Sequence, residues 1–260
     1  MRMKLCDRLN LRPNLYDYTS KLESVEIAKS ERPSATDFER ACKKFDLPRS
    51  RTFLALAYYY SDHHEGARKE AEKSIPDIDE FLFGDWRNVF LTAEKSVDPA
   101  WWKRHFMWMQ IFEIAVLWAV VLDEWQFVTR VGDFPEPDSY ISDGYDRRDR
   151  DLYVAWAAFL RHAPGEVQRL LEPLEKSKER SFKLRAILIR SAAERNADAL
   201  QKALEDWLSF YRKWEFPKEH ITKKVSIEGT FFVHWAEKEG IALKVPPEYE
   251  DHIVRLPCMR

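Results

Sequence analysis

PAWWKRHFMWMQIFEIAVLWAVVLDEWQFVTR, residues 99–130, is the stretch on which the fold turns. It holds five of the chain's ten tryptophans (Trp101, Trp102, Trp108, Trp118 and Trp125), and between Trp108 and Leu122 only Gln110 and Glu113 interrupt the apolar run. A helix that is apolar nearly all round is buried in a protein core or in a membrane. The unbroken run 114–122 falls far short of the roughly 20 residues a bilayer requires, and Lys103, Arg104, Glu113, Asp123 and Glu124 crowd it. The pattern predicts the central helix of a water-soluble protein, coated by other helices.

Composition points the same way. Hydrophobic residues at 45% suffice for a core, and charged residues at 33% for a solvated surface. Seven glycines in 260 residues are few for a sheet protein, which spends glycine on turns and bulges. A formal net charge of −2 supplies no basic face for nucleic acid. Cys6, Cys42 and Cys258 are odd in number, far apart and free of any CxxC spacing, which predicts neither a disulfide framework nor a zinc site and suits a reducing cytoplasm. The start, MRMKLCDRLNLRPN, has no apolar stretch of the signal-peptide kind.

Punctuation along the chain divides it into helices. Asn14 caps a predicted helix over 15–29, and Ser34-Ala-Thr-Asp starts another over 36–45. Pro48 is read as a restart before 51–60, and DHHEG at 62–66 as the break before a helix over 67–74. Pro76 is read as opening an acidic, aromatic segment, PDIDEFLFGDW, that leads into a helix over 86–95. Asp98-Pro99 then caps the central helix. Residues 132–151, GDFPEPDSYISDGYDRRDRD, read as a long irregular loop.

Beyond that loop one unit repeats. Helices are predicted over 152–161, 166–175, 182–194 and 199–214, with breaks at Ala163 and Arg195 that lie 32 residues apart (195 − 163). That spacing is close to the period of tetratricopeptide-type hairpins, although that repeat's consensus residues are not visible. The segment AYYYSDHHEGARKEAEK of the first half has the same look as AAFLRHAPGEVQRLLEP of the second. A last helix over 223–238 ends at Gly240 in a left-handed cap, and IALKVPPEY is an extended tail lying back on the body. The expected architecture is all-α: an array of antiparallel helical hairpins, tetratricopeptide-like or a bundle, around the Trp-rich helix. It forms a single domain over 1–260, with possible halves 14–131 and 152–250 joined by the loop.

Candidate chemistry is sparse. Asp62, His63, His64 and Glu65 are adjacent in a turn and cannot converge on one metal ion. The aspartates of the loop lack the calcium-loop spacing, and Arg147, Arg148 and Arg150 offset their charge. No metal or cofactor is expected. Glu113 inside the apolar helix is a candidate buried carboxylate, but no nucleophile–base set or phosphate loop accompanies it. Two acidic and aromatic surfaces are candidates for holding a protein partner: Asp77, Asp79, Glu80 and Asp85, and the loop residues Asp138, Asp143, Tyr145 and Asp146.

The C-terminal segment SIEGTFFVHWAEKEGIALKVPPEY, residues 226–249, resembles the end of the immunity protein 49 family of bacterial toxin–antidote systems. Gly229, Trp235, Ala236, Gly240, Ile241, Val245, Pro246 and Tyr249 carry the likeness. ADALQKALEDWLSFYRKW, residues 197–214, looks like that family's penultimate helix, and Pro247 after Pro246 departs from its usual ending. The resemblance covers roughly 180–250. It implies an antidote that binds a cognate toxin by protein contact and needs no catalytic residues. The rival readings are a helical-repeat scaffold for another protein or peptide, and an enzyme with a pocket around Glu113 and the tryptophans.

Overall fold

The computed structural model describes residues 27, 37–84, 107–134, 147–213 and 224–257. All regular structure among them is helical. α1 is Asp37–Tyr60, α2 His64–Phe83, α3 Met107–Val121, α4 Trp125–Gly132, α5 Arg147–Leu160, α6 Pro164–Glu175, α7 Arg180–Ala193, α8 Ala197–Lys213 and α9 Ile227–Lys238, followed by a 3-10 helix at Pro247–His252. The expected all-α architecture is what the chain adopts. No helix among the described residues is long and apolar enough to cross a membrane.

The chain forms two compact units that part between Asp123 and Glu124, with the C-terminal segment returning to the first unit at Val254. In the first unit α1 and α2 pair as a hairpin, and α3 packs on both. Ala67, Ala71, Ser74, Ile78 and Leu82 recur at helical spacing and form the buried stripe of α2. Ile111, Phe112 and every residue from Ile114 to Val121 are buried on α3. Burying one such aliphatic or aromatic side chain stabilises the fold by about 1.5–3 kcal/mol. The Trp118 indole donates to Thr52 Oγ1 at 2.9 Å, and that hydroxyl donates to the Pro48 carbonyl at 2.8 Å. Trp118 is thus fully enclosed with its one polar atom satisfied.

Four expectations are corrected here. Pro48 does not restart the chain, because α1 runs through it. Pro76 likewise lies inside α2, where it is exposed, so the ring has room although the ladder loses one N–H. The part of the acidic segment up to Phe83 is therefore the last part of α2. The central helix stops at Val121 instead of continuing to 130, since Asp123 adopts φ +65 and α4 starts afresh at Trp125. Residues 147–151, assigned to the loop, are the first turns of α5. Apart from Ile27, which is helical, the helix expected over 15–29 lies outside the described residues, as do the helix expected over 86–95 and residues 135–146.

One turn recurs at four places. A helix ends, the second residue after it takes a left-handed conformation, and the next helix begins two residues later: Asp62 (φ 61), Asp123 (φ 65), His162 (φ 56) and Arg195 (φ 53). Three of these turns also close a hydrogen bond from the following residue to the carbonyl five back: His63 to Tyr58 (2.9 Å), Ala163 to Ala158 (3.0 Å) and Asn196 to Ser191 (3.2 Å). This is the glycine-type helix terminator built without glycine. The breaks expected at 163–165 and 196–198 are therefore shifted. The turns are 161–163 and 194–196, while Pro164 and Gly165 begin α6.

The second unit is centred on α5, whose residues Leu152 to Leu160 are all buried. It packs against α4, α6 and α7, and α9 packs on α7 and α8. Trp156 and Phe159 of α5 meet Phe231, Phe232 and Trp235 of α9, with ring centroids 5.2–6.2 Å apart. A Cβ on Gly132 would stand 2.8 Å from Leu160 Cβ, so glycine is what lets α4 approach α5. The tail is partly regular: residues 241–246 have no regular structure, but 247–252 wind into the 3-10 helix.

Candidate functional site

Of the first acidic–aromatic group, Asp77, Asp79 and Glu80 lie in the last two turns of α2 and not at a helix start. The helix dipole disfavours acids there, and α1 answers with cations. Arg51 Nε donates to Asp77 at 2.7 Å and its Nη1 to Glu70 at 3.2 Å, while Lys44 Nζ reaches Glu80 at 2.6 Å. Lys73 bonds the other Glu70 oxygen at 2.6 Å. Phe81 packs on Phe45 with ring centroids 5.6 Å apart, and Arg49 stands 5.2 Å over the Phe45 ring. Burial pushes the Asp77 carboxyl above its ordinary range, with Glu80 adding to it, although the Arg51 hydrogen bond and the Arg51 and Lys44 charges pull it down. Asp77 and Glu80 therefore fasten α2 to α1. Asp85, Asp138, Asp143, Tyr145 and Asp146 lie outside the described residues.

Glu113 is half-buried instead of fully enclosed, and Gln110 is exposed. His63 and His64 follow their turn and pack on Tyr58 and Tyr59, at 6.4 and 5.8 Å between ring centroids. No group of three metal-capable side chains occurs among the described residues.

The residues that carry the C-terminal resemblance build structure. Ser226 caps α9, accepting from the Gly229 N–H at 3.0 Å and from the Trp207 indole at 2.9 Å. A Cβ on Gly229 would fall 2.8 Å from Leu208 Cδ2 and 3.0 Å from Ile253 Cδ1. Trp235 packs on Phe159, and Ala236 is fully buried. Gly240 takes φ +71 as expected, and the Ile241 N–H closes on the Ala236 carbonyl at 2.8 Å. Beneath α9, Arg185 pairs with Glu228 at 2.6 Å and bonds the Tyr153 hydroxyl at 3.2 Å.

Sequence reasoning passed over Gln201. Its amide donates to the Lys244 carbonyl and accepts from the Lys244 N–H, both at 2.8 Å, and also donates to Glu205 at 2.6 Å. Lys244 is 43 residues away in the chain, so no local pattern signals this contact. It holds the 241–246 segment along α8, between Gly240 and the 3-10 helix. Arg212 stands 5.9 Å over the Tyr249 ring in that helix. Asp198 and Glu205 on α8 and Glu248 and Glu250 after the segment are exposed. Comparisons with protein-family models, with curated proteins and with solved structures found no match to this chain.

Proposed function

We propose that the chain is an immunity protein, an antidote that binds a cognate bacterial toxin domain in the cytoplasm and neutralises it stoichiometrically. Binding by such a protein requires a rigid, exposed surface and no cofactor. The observation that carries the reading is the C-terminal resemblance over 226–249, whose Gly229, Trp235, Ala236 and Gly240 each meet a specific packing or backbone demand of the end of the second unit. A likeness in residues that the fold requires is support for common architecture, and architecture is what the antidote reading borrows.

The second reading is a helical-repeat scaffold with another protein or peptide as ligand. It is favoured by the repeated turn at His162 and Arg195, 33 residues apart (195 − 162), since stacked hairpins create extended binding faces. Co-expression separates the two. The product of the neighbouring gene, produced with and without this chain, is expected to be toxic alone, tolerated together and recovered as a complex. Toxicity without rescue, or no toxicity, would leave the scaffold as the better account.

A further inference from the structure

Residues 254–257 have no regular structure and belong to the first unit. The backbone enters them extended, with Ile253 at φ −106 and ψ 122. Val254 and Leu256 are buried while Arg255 and Pro257 are exposed, the two-residue alternation of an extended chain. In such a chain, residues two apart turn their backbone groups to the same edge. The Arg255 N–H accordingly donates to the Tyr59 hydroxyl at 3.3 Å, and Arg68 Nη2 donates to the Pro257 carbonyl at 3.0 Å. Tyr59 lies in the last turn of α1 and Arg68 in the second turn of α2, so the two clamps flank the hairpin turn. Arg68 has Glu72 beside it at 4.0 Å, one turn further along α2.

These contacts define a seat for a peptide. They engage backbone groups and two apolar side chains at alternate positions, features that any copy of the same segment supplies. The chain's own segment holds the seat through its covalent connection, which gives it a high effective concentration there. Its hold lacks the ladder of a helix or a sheet, and its Arg68 clamp lies at the surface. Segments held in this way open at the low end of the free energies found within one protein, while the packed helices stay closed.

We infer that residues 254–257 are a strap that opens while the α1–α2 hairpin stays folded, and that the seat beneath it takes the same segment of a second copy of this chain. Exchange of an identical element between copies is a low-cost route to a dimer. The inference uses no residue of 226–249 and stands apart from the antidote reading.

The probe is an isotope-labelled peptide with the sequence of residues 253–257, acetylated and amidated at its ends, followed by its own NMR signals. It is titrated against the full chain and against the full chain carrying Val254→Asp and Leu256→Asp, which expel the strap. Saturable binding to the strap variant is expected, at least tenfold tighter than to the parent, and weakened tenfold or more by Arg68→Gln or by aspartates in the peptide. No binding by a strap variant whose helical circular dichroism is intact, or equal binding by the parent, overturns the seat. A second measurement needs no variant that must fold. Trypsin is expected to cut the parent after Arg255 at a rate that low urea leaves unchanged, whereas a rate rising with urea in step with global unfolding overturns the strap. Sedimentation of the parent over a range of concentrations is expected to show a dimer that the strap variant does not form. A parent that stays monomeric at every concentration overturns the second copy as the occupant.

Discussion

His162 ends the α5 hairpin arm in the left-handed region, at φ 56. A non-glycine residue in the left-handed region is disfavoured by roughly 1–2 kcal/mol, partly offset in any glycine variant by the greater freedom of its unfolded chain. His162→Gly is expected to stabilise the protein by about 0.5–1 kcal/mol, and His162→Val to destabilise it by about 1–2 kcal/mol, because a β-branched side chain fits φ 56 badly. Urea midpoints that move in the opposite order would refute the strain. Arg51 is the second residue on which much depends. Arg51→Met leaves Glu70 and Asp77 facing each other without their shared cation, at an expected cost of about 2–3 kcal/mol, below the range for a fully enclosed pair because Asp77 still touches water.

Asp77 also predicts a pH dependence. Its folded pKa lies above the ordinary 3.8, so the folded state holds the proton more tightly than the unfolded one. The stability it contributes is fully present below 3.8 and is lost as pH rises through the folded pKa. The stability of the parent protein relative to Asp77→Asn should therefore fall as pH rises above 3.8. Paired urea titrations across the acidic range check this, and a difference that grows with pH would contradict the burial that causes the shift.

Among the elements, α2 shows how packing overrides a local signal. Proline in a helix interior costs about 3 kcal/mol relative to alanine, yet α2 continues through Pro76 because its buried stripe runs on to Ile78 and Leu82 and its acids are tied to Lys44 and Arg51. Pro76→Ala is expected to raise stability by about 1–3 kcal/mol, read as a higher urea midpoint, since Pro76 is exposed and contributes only its missing donor. The start of α9 is the opposite case, where the local signal and the packing agree. Ser226→Ala removes the cap and leaves the buried Trp207 indole without its acceptor, at an expected cost of about 1–3 kcal/mol.

Across the whole molecule, two compact units each bury their own aromatic centre, Trp118 with Phe112 in one and Trp156 with Phe231 and Phe232 in the other. Phe231→Ala is expected to cost about 3–5 kcal/mol, a large share of the roughly 5–15 kcal/mol that a domain commands. A loss of thermal stability readable by circular dichroism follows, and an unchanged melting profile would refute the central place given to that ring cluster.

Apolar periodicity by itself determined the helical class, the hairpin order and the Gly240 terminator. These depend on which residues must be buried and on which backbone angles a residue tolerates, and both properties travel with the residue type. The turn at His162 was misplaced by about two residues because Pro164 and Gly165 carried the louder local signal, and the turn at Arg195 because Asn196 and Asp198 are themselves turn-forming residues. The continuity of α1 and α2 through Pro48 and Pro76, the end of α3 at Val121, and the roles of Asp77 and Glu80 were decided only by the tertiary structure. A missing N–H or an unfavourable dipole is a local cost of a few kcal/mol at most, and contacts contributed by a neighbouring helix can exceed it. Gln201 and Lys244 illustrate the same limit at long range: 43 residues separate them, and only the folded chain brings that amide to that backbone.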